Sequence, residues 1–99
     1  MLYMVSLNHS PDKCPGVAIE IRDRVLVMAS TMAEILNSYD CKFQGGWISK
    51  SAHQTFILID GPNAHAVDDA IVDLGFAVWN ASTFYPVITL DEAMGGLPD

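Results

Sequence analysis

The chain has 99 residues and a net charge of −7, from five Lys+Arg against twelve Asp+Glu. This length suits one domain over residues 1–99 with a core over about 2–94, and a hydrophobic content of 51% excludes a disordered chain. The negative charge disfavours nucleic acids and anionic membrane surfaces as partners, because both are themselves negatively charged.

The sequence also favours a cytoplasmic protein. No stretch reaches the roughly 20 apolar residues of a spanning helix. Residues 1–7 have neither a basic segment nor a small-residue cleavage site, so we expect no signal peptide. Two cysteines, Cys14 and Cys41, are too few for the disulfide framework of a secreted domain. We therefore expect reduced thiols.

The hydrophobic pattern predicts four strands and two main helices. Short apolar or alternating runs between turn residues indicate strands, and apolar residues three and four positions apart indicate helices. In chain order the predicted elements are a strand at 2–9, a helix at 17–38, a strand at 41–49, a strand at 53–60, a helix at 64–74, a strand at 84–90, a helical turn at 91–94 and a tail at 95–99.

Local signals refine several of these elements. The pair Gly45-Gly46 predicts a bulge or a close backbone approach in the second strand. Asn63 and Gly75 are typical of the beginning and the end of the second helix. Pro86 cannot donate a backbone hydrogen bond, so the fourth strand should lie at an edge of the sheet.

The order of the elements predicts an α+β fold of the ferredoxin-like βαββαβ type. Right-handed crossovers then give an antiparallel four-stranded sheet of order 4-1-3-2, with two helices on one face. The opposite face mixes apolar and polar side chains, namely Met4, Phe56, Leu58, Ser6, Asn8 and Gln54. Such a face is typical of an interface, so we expect a homodimer that pairs two sheets into a barrel.

Four short segments occur in an order that resembles one family. They are Leu2-Tyr3-Met4-Val5, His9-Ser10-Pro11 followed by Cys14-Pro15, His53-Gln54-Thr55-Phe56, and Tyr85-Pro86-Val87-Ile88-Thr89-Leu90-Asp91-Glu92-Ala93. With them the chain resembles DUF3303, a family of unknown function in the dimeric α+β barrel superfamily, over about residues 2–94. The resemblance implies the fold and a homodimer.

The same resemblance leaves the activity open. The superfamily includes cofactor-independent monooxygenases, haem-degrading enzymes, muconolactone isomerases and a nickel-binding protein, so its fold selects no single chemistry. Asn8 with Trp47 or Trp79 loosely resembles the haem-degrading relatives, although His65 is not in register with their helix histidine.

The predicted sheet brings together three residues that are separate in sequence. Strands one and three are antiparallel neighbours, so His9 at the end of one should lie beside His53 at the start of the other. Cys14 follows in the next loop and can fold over the same end. Imidazole and thiolate ligands suit Zn²⁺, Ni²⁺ or copper, so we predict a metal site at His9, Cys14 and His53. Asp12 is a candidate partner of the ligands.

Other interpretations of these residues stay open. His9 could bond the backbone, His53 could belong to a turn, and Cys14 could be a small buried side chain. A ligand pocket is predicted on the open sheet face, lined by Asn8, Ser6, Gln54, Trp47, Phe56 and Tyr85.

The sequence therefore leaves three functions to separate. A metal-binding or small-ligand-binding homodimer is the first. The alternative is a cofactor-independent oxygenase or isomerase acting on a small apolar or aromatic molecule in the barrel. Its candidate groups are Asn8, Tyr85 and His53, the last as a base. A structural or regulatory dimer without such chemistry is the third.

Overall fold

The computed structural model describes residues 1–97, so Pro98 and Asp99 of the predicted tail lie outside the described residues. The elements are β1 (Leu2–Asn8), α1 (Ile19–Ser38), β2 (Lys42–Ser49), β3 (Gln54–Asp60), α2 (Ala64–Leu74), β4 (Ala81–Val87) and α3 (Leu90–Gly95), with short 3₁₀ turns at Pro11–Lys13 and Phe76–Val78. Apart from β4, each predicted boundary agrees with the structure to within two residues.

The predicted fourth strand, 84–90, is wrong at both ends. β4 instead begins at Ala81, opposite Asn8, and ends at Val87, opposite Leu2. Pairing along the whole of β1 therefore sets its position, three residues earlier than predicted, although its first residues, Ala81, Ser82 and Thr83, are small and have a loop-like composition. Beyond β4, the Thr89 side chain accepts a hydrogen bond from the Glu92 backbone at 3.0 Å, which starts α3 at Leu90.

The sheet has the predicted topology. Its order is β2-β3-β1-β4, which is 4-1-3-2 read from the other edge, and all three pairings are antiparallel. β4 with Pro86 lies at an edge, as predicted. The register of β2 shifts between Phe43 and Gly45, which confirms the predicted irregularity near the glycine pair.

One face of the sheet packs against both long helices. Odd-numbered residues of β1 and β3 point into this core and meet the apolar sides of α1 and α2. Asn63 caps α2 by accepting a hydrogen bond from the Ala66 backbone at 2.8 Å, and Gly75 ends it at φ 95°. Each large apolar side chain buried here stabilises the fold by about 1.5–3 kcal/mol.

The other face of the sheet is not covered within residues 1–97. Met4, Phe56 and Leu58 are half-buried there, and Trp47 and Tyr85 remain 56% and 52% exposed. None of the helices in this described part of the chain is long and apolar enough to cross a membrane.

Candidate metal centre

The ends of β1 and β3 bring two histidines side by side. Asn8 pairs with Gln54 at the end of the ladder, so His9 and His53 stand just beyond the last pair. The His9 backbone N–H donates to the His53 carbonyl oxygen at 3.2 Å. Their ring centroids lie 5.3 Å apart, with the ring planes inclined by 72°. The antiparallel pairing of β1 and β3, as predicted from the sequence, therefore brings the two histidine rings together.

A compact loop carries Cys14 to the same place. After the 3₁₀ turn Pro11–Lys13, the Cys14 backbone N–H donates to the Pro11 carbonyl at 3.3 Å. The Cys14 carbonyl then accepts from the N–H groups of Val17 and Ala18 at 2.9 and 2.8 Å. One ring nitrogen of each histidine and the Cys14 Sγ lie within 4.8 Å of one another.

Asn80 fixes the orientation of the His9 ring. Its side-chain NH₂ donates to the Phe76 carbonyl at 3.1 Å, and its Oδ1 lies 3.2 Å from His9 Nδ1. An amide oxygen only accepts, so Nδ1 carries the ring proton and Nε2 carries the free lone pair. A hydrogen bond of this kind behind a histidine is typical of metal ligands.

Two buried nitrogens at this site have lone pairs or protons to satisfy. His9 Nε2 and His53 Nδ1 are both buried, and neither has a hydrogen-bond partner among residues 1–97. An unsatisfied buried polar atom costs about 1–3 kcal/mol, so a ligand that engaged both would recover that free energy. His9 itself is only 8% exposed.

His53 adopts an uncommon backbone conformation. Its φ is 52°, in the left-handed region that costs a residue with a side chain roughly 1–2 kcal/mol. Its N–H donates to the Lys50 carbonyl at 3.3 Å, which closes the turn before β3. Such strain is typical of functional positions and is supported here by the neighbouring structure.

A cavity of about 660 Å³ adjoins the three residues, between α1 and the sheet. Apolar side chains form most of its wall, including Val25, Met28, Met32, Phe43, Ile48 and Ile57. His9, Cys14, His53 and Asn80 line the same cavity. The polar cluster therefore faces an apolar space.

The residues of the predicted ligand pocket lie elsewhere. Strand register puts Ser6, Asn8, Gln54, Trp47, Phe56 and Tyr85 on the open sheet face. There the Gln54 side-chain amide donates to Ser6 Oγ at 2.7 Å. Trp47 is the one member of this set that also lines the cavity. A pocket on the open face stays a prediction that depends on a second copy.

Four other candidate groups are not brought to the cluster. Tyr85 and Asn8 share the open face, whereas His53 contacts the cavity on the helix side. Asp12 is exposed, and a hydrogen bond with Ser10 lowers its carboxyl pKa. His65 is exposed on α2 and does not line the cavity.

Sequence reasoning missed Asn80. The residue directly precedes β4, whose first pair joins Ala81 with Asn8, so Asn80 stands opposite His9. Because the predicted strand began at residue 84, Asn80 was not recognised as a neighbour of His9. The predicted strand 84–90 already has as many residues as β1, so the error is a shift of three positions, and local sequence carries no signal for the register that puts Ala81 opposite Asn8.

Comparisons with known proteins show the fold. No family model matches the chain, and no curated protein matches it. SCO4226 from Streptomyces coelicolor A3(2) is 13% identical with a TM-score of 0.61, over 88% of this chain and 96% of that one. An antibiotic biosynthesis monooxygenase is 12% identical with a TM-score of 0.50, over 90% and 100%.

A third structure, an uncharacterized NIPSNAP domain protein from Burkholderia xenovorans, is 11% identical with a TM-score of 0.48, over 99% and 98%. At these identities the likenesses concern architecture alone. The chain therefore has a ferredoxin-like α+β fold, which the first two of these solved structures share.

Proposed function

We propose that this protein binds a transition metal ion, Zn²⁺, Ni²⁺ or copper, through His9, Cys14 and His53. The observation that carries the proposal is the convergence of two ring nitrogens and a thiol within 4.8 Å. The three residues come from three separate segments, and these donor types are the ones that such ions prefer.

The distances suit an ion with modest side-chain adjustment. Bonds of about 2.0–2.3 Å to zinc would put tetrahedral donor atoms roughly 3.3–3.8 Å apart. Rotation of the half-buried Cys14 and His53 side chains can close the remaining gap, while Asn80 holds His9. Three protein ligands leave a fourth position for water or another molecule, as in catalytic rather than structural zinc sites.

Metal loading and thermal stability test the proposal. We expect protein purified without a metal-affinity tag to carry a stoichiometric ion by elemental analysis. If it is stripped first, adding Zn²⁺, Ni²⁺ or Cu²⁺ at 100 times Kd should stabilise the native state by about 2.7 kcal/mol. An unchanged melting temperature with all three ions, and no bound metal, would contradict the proposal.

A pair of histidine variants identifies the site. His53→Asn removes the ring but keeps a residue that tolerates φ 52°, so the turn should survive. His65→Asn makes the same change at an exposed helix position. We expect the first variant to lose most of the metal-dependent stabilisation and the second to keep it. Equal behaviour of the two variants would place the ion elsewhere.

The proposal includes a homodimer formed through the open sheet face. The support is the set of apolar side chains left there, with Phe56 and Leu58 half-buried and Trp47 and Tyr85 exposed. In sedimentation analysis we expect the protein to have twice the mass of one chain. The Phe56→Glu variant should have the mass of a single chain. Leu26→Glu, on the exposed side of α1, is the matched control.

Two finer assignments accompany this proposal. We assign the chain to DUF3303 on its four resembling segments, and we propose a cytoplasmic location because the free thiols of Cys14 and Cys41 are typical of a reducing compartment.

The cofactor-independent oxygenase or isomerase is less well supported. Two of its candidate groups, Asn8 and Tyr85, lie on the opposite side of the sheet from the His53 cavity.

A further inference from the structure

We infer that the cavity and the three ligands form one site for a small, uncharged, ring-bearing molecule with a single nitrogen, oxygen or sulfur donor. The donor atom would occupy the open position on the metal, and the ring would occupy the apolar cavity. This inference rests on the proposed function and adds to it the chemical class of the bound molecule.

The wall of the cavity selects apolar molecules. Val25, Met28 and Met32 approach from α1, and Ile48 and Ile57 approach from the sheet. Burying apolar surface against such side chains stabilises a complex by about 25 cal/mol per Å². Methionine side chains adapt their shape, which suits a ligand of variable outline.

The net charge of the protein disfavours an anionic ligand. The whole chain carries a net charge of −7, and Lys50 is the one Lys or Arg among the residues that line the cavity in the described part of the chain. No carboxylate lines it either, so nothing there would compensate a cationic ligand. An uncharged molecule is therefore the best match.

Size and aromatic surface indicate a ring. About 660 Å³ lies within the range of cavities that hold small organic ligands. Phe76 and Trp79 line one side with ring centroids 5.9 Å apart at an angle of 46°. Ring edges and faces of this kind pack well against another ring.

The position of the polar cluster supplies the second half of the argument. His9, Cys14 and His53 line the same cavity that the apolar side chains enclose. A tetrahedral ion held by these three residues has one coordination position left, and the cavity adjoins that position. A donor atom on a ring bound there would reach the ion without leaving apolar surroundings.

Ligand titration of the Co²⁺-loaded protein tests the shared site. Binding of Co²⁺ is followed by its visible absorption, and imidazole and 4-phenylimidazole are then compared as probes through the change in that absorption. Both probes offer the same donor, and only the second adds an apolar ring. We expect 4-phenylimidazole to bind at least about tenfold more tightly, because the cavity buries its phenyl group.

A matched pair of valine variants on α1 links this preference to the cavity. Val25→Trp fills the space, whereas Val27→Trp places the same ring on the exposed side of the helix. We expect the first variant to bind Co²⁺ normally but to lose the preference for 4-phenylimidazole, and the second to keep it. Met32→Trp replaces Val25→Trp if that variant melts at a clearly lower temperature.

The outcomes separate the two proposals. Absence of the Co²⁺ absorption, together with an unchanged melting temperature in Zn²⁺, Ni²⁺ and Cu²⁺, overturns the proposed function and with it the shared site. Normal Co²⁺ binding with equal affinity for both probes overturns the shared site while the metal site stands. A preference that survives both cavity-filling variants also overturns it, because the phenyl group would then lie outside the cavity.

Discussion

The two ends of the sheet each hold one cysteine, and the two thiols have different surroundings. Cys14 is half-buried beside two imidazoles, of which one nitrogen each, His9 Nε2 and His53 Nδ1, has no hydrogen-bond partner among residues 1–97. Cys41 is 2% exposed in the core, and its S–H donates to the Tyr39 carbonyl at 3.5 Å. The difference shows that neighbouring side chains, not residue type, decide whether a cysteine packs into the core or lies among candidate metal ligands.

Packing density differs between the same two ends. At the Cys41 end, a Cβ added to Gly61 would lie 2.7 Å from Val67 Cγ2 and 3.0 Å from Cys41 Sγ. At the Cys14 end, a Cβ added to Gly16 would meet Cys14 Sγ at an ordinary 3.6 Å, and the cavity lies nearby. Close packing stabilises one end, whereas the other end keeps space for a ligand.

The largest expected effect is on metal affinity in a pair of cysteine variants. Cys14→Ala removes one of three ligands and should weaken Zn²⁺ binding by more than about 100-fold, because second-sphere changes alone cost 10–100-fold. Cys41→Ala should leave it unchanged. Calorimetric titration measures both, and an equal loss in the two variants would refute the comparison.

Next in size is the effect of adding a methyl group at each end. Gly61→Ala should lower the free energy of unfolding by about 1–3 kcal/mol, because its Cβ overlaps Val67 and Cys41. Gly16→Ala should change it by less than about 0.5 kcal/mol. Urea unfolding of the metal-free proteins gives both values. An unchanged free energy of unfolding in Gly61→Ala would show that the Cys41 end is not closely packed.

Two asparagines, Asn80 at the Cys14 end and Asn63 at the Cys41 end, extend the comparison between the two ends of the sheet. Asn80→Ala should reduce metal affinity by about tenfold, since His9 loses the acceptor that sets its protonated nitrogen. Asn80→Asp keeps the acceptor for His9 but loses the donation to the Phe76 carbonyl, so it should restore only part of the affinity. Asn63→Ala, at the Cys41 end, should cost about 1 kcal/mol of stability through the lost helix cap, with metal affinity unaltered. Unchanged metal affinity in Asn80→Ala would contradict a role of Asn80 in orienting His9.

The smallest expected effect is a pH dependence from Cys41. Burial, aided by Asp40 and Asp60, raises the pKa of its thiol above the ordinary 9.0. The unfolded chain then loses this proton at lower pH than the folded chain, so stability falls as pH rises above about 9, by a fraction of a kcal/mol. Urea unfolding at about pH 8 and pH 10 should show a smaller decline in Cys41→Ala. An identical decline in the two proteins would show that groups other than Cys41 cause the loss of stability.

Much of the architecture follows from local sequence. Apolar periodicity, the Asn63 cap and Gly75 define α2 without help from distant residues, because each acts within one or two helical turns. The order of elements, together with crossover handedness, then gives the sheet order. That order is why the neighbourhood of His9 and His53 could be predicted from residues 44 positions apart.

The remaining features depend on tertiary structure. The start of β4 is set by its ladder with β1, so neither its limits nor the place of Asn80 is written in local composition. The cavity likewise exists because α1 and the sheet leave space between them, and no single segment encodes that space. The order and residue types of the chain thus give the fold and the candidate ligands, whereas packing between distant segments leaves His9 Nε2 and His53 Nδ1 unpartnered among residues 1–97 and sets what surrounds them.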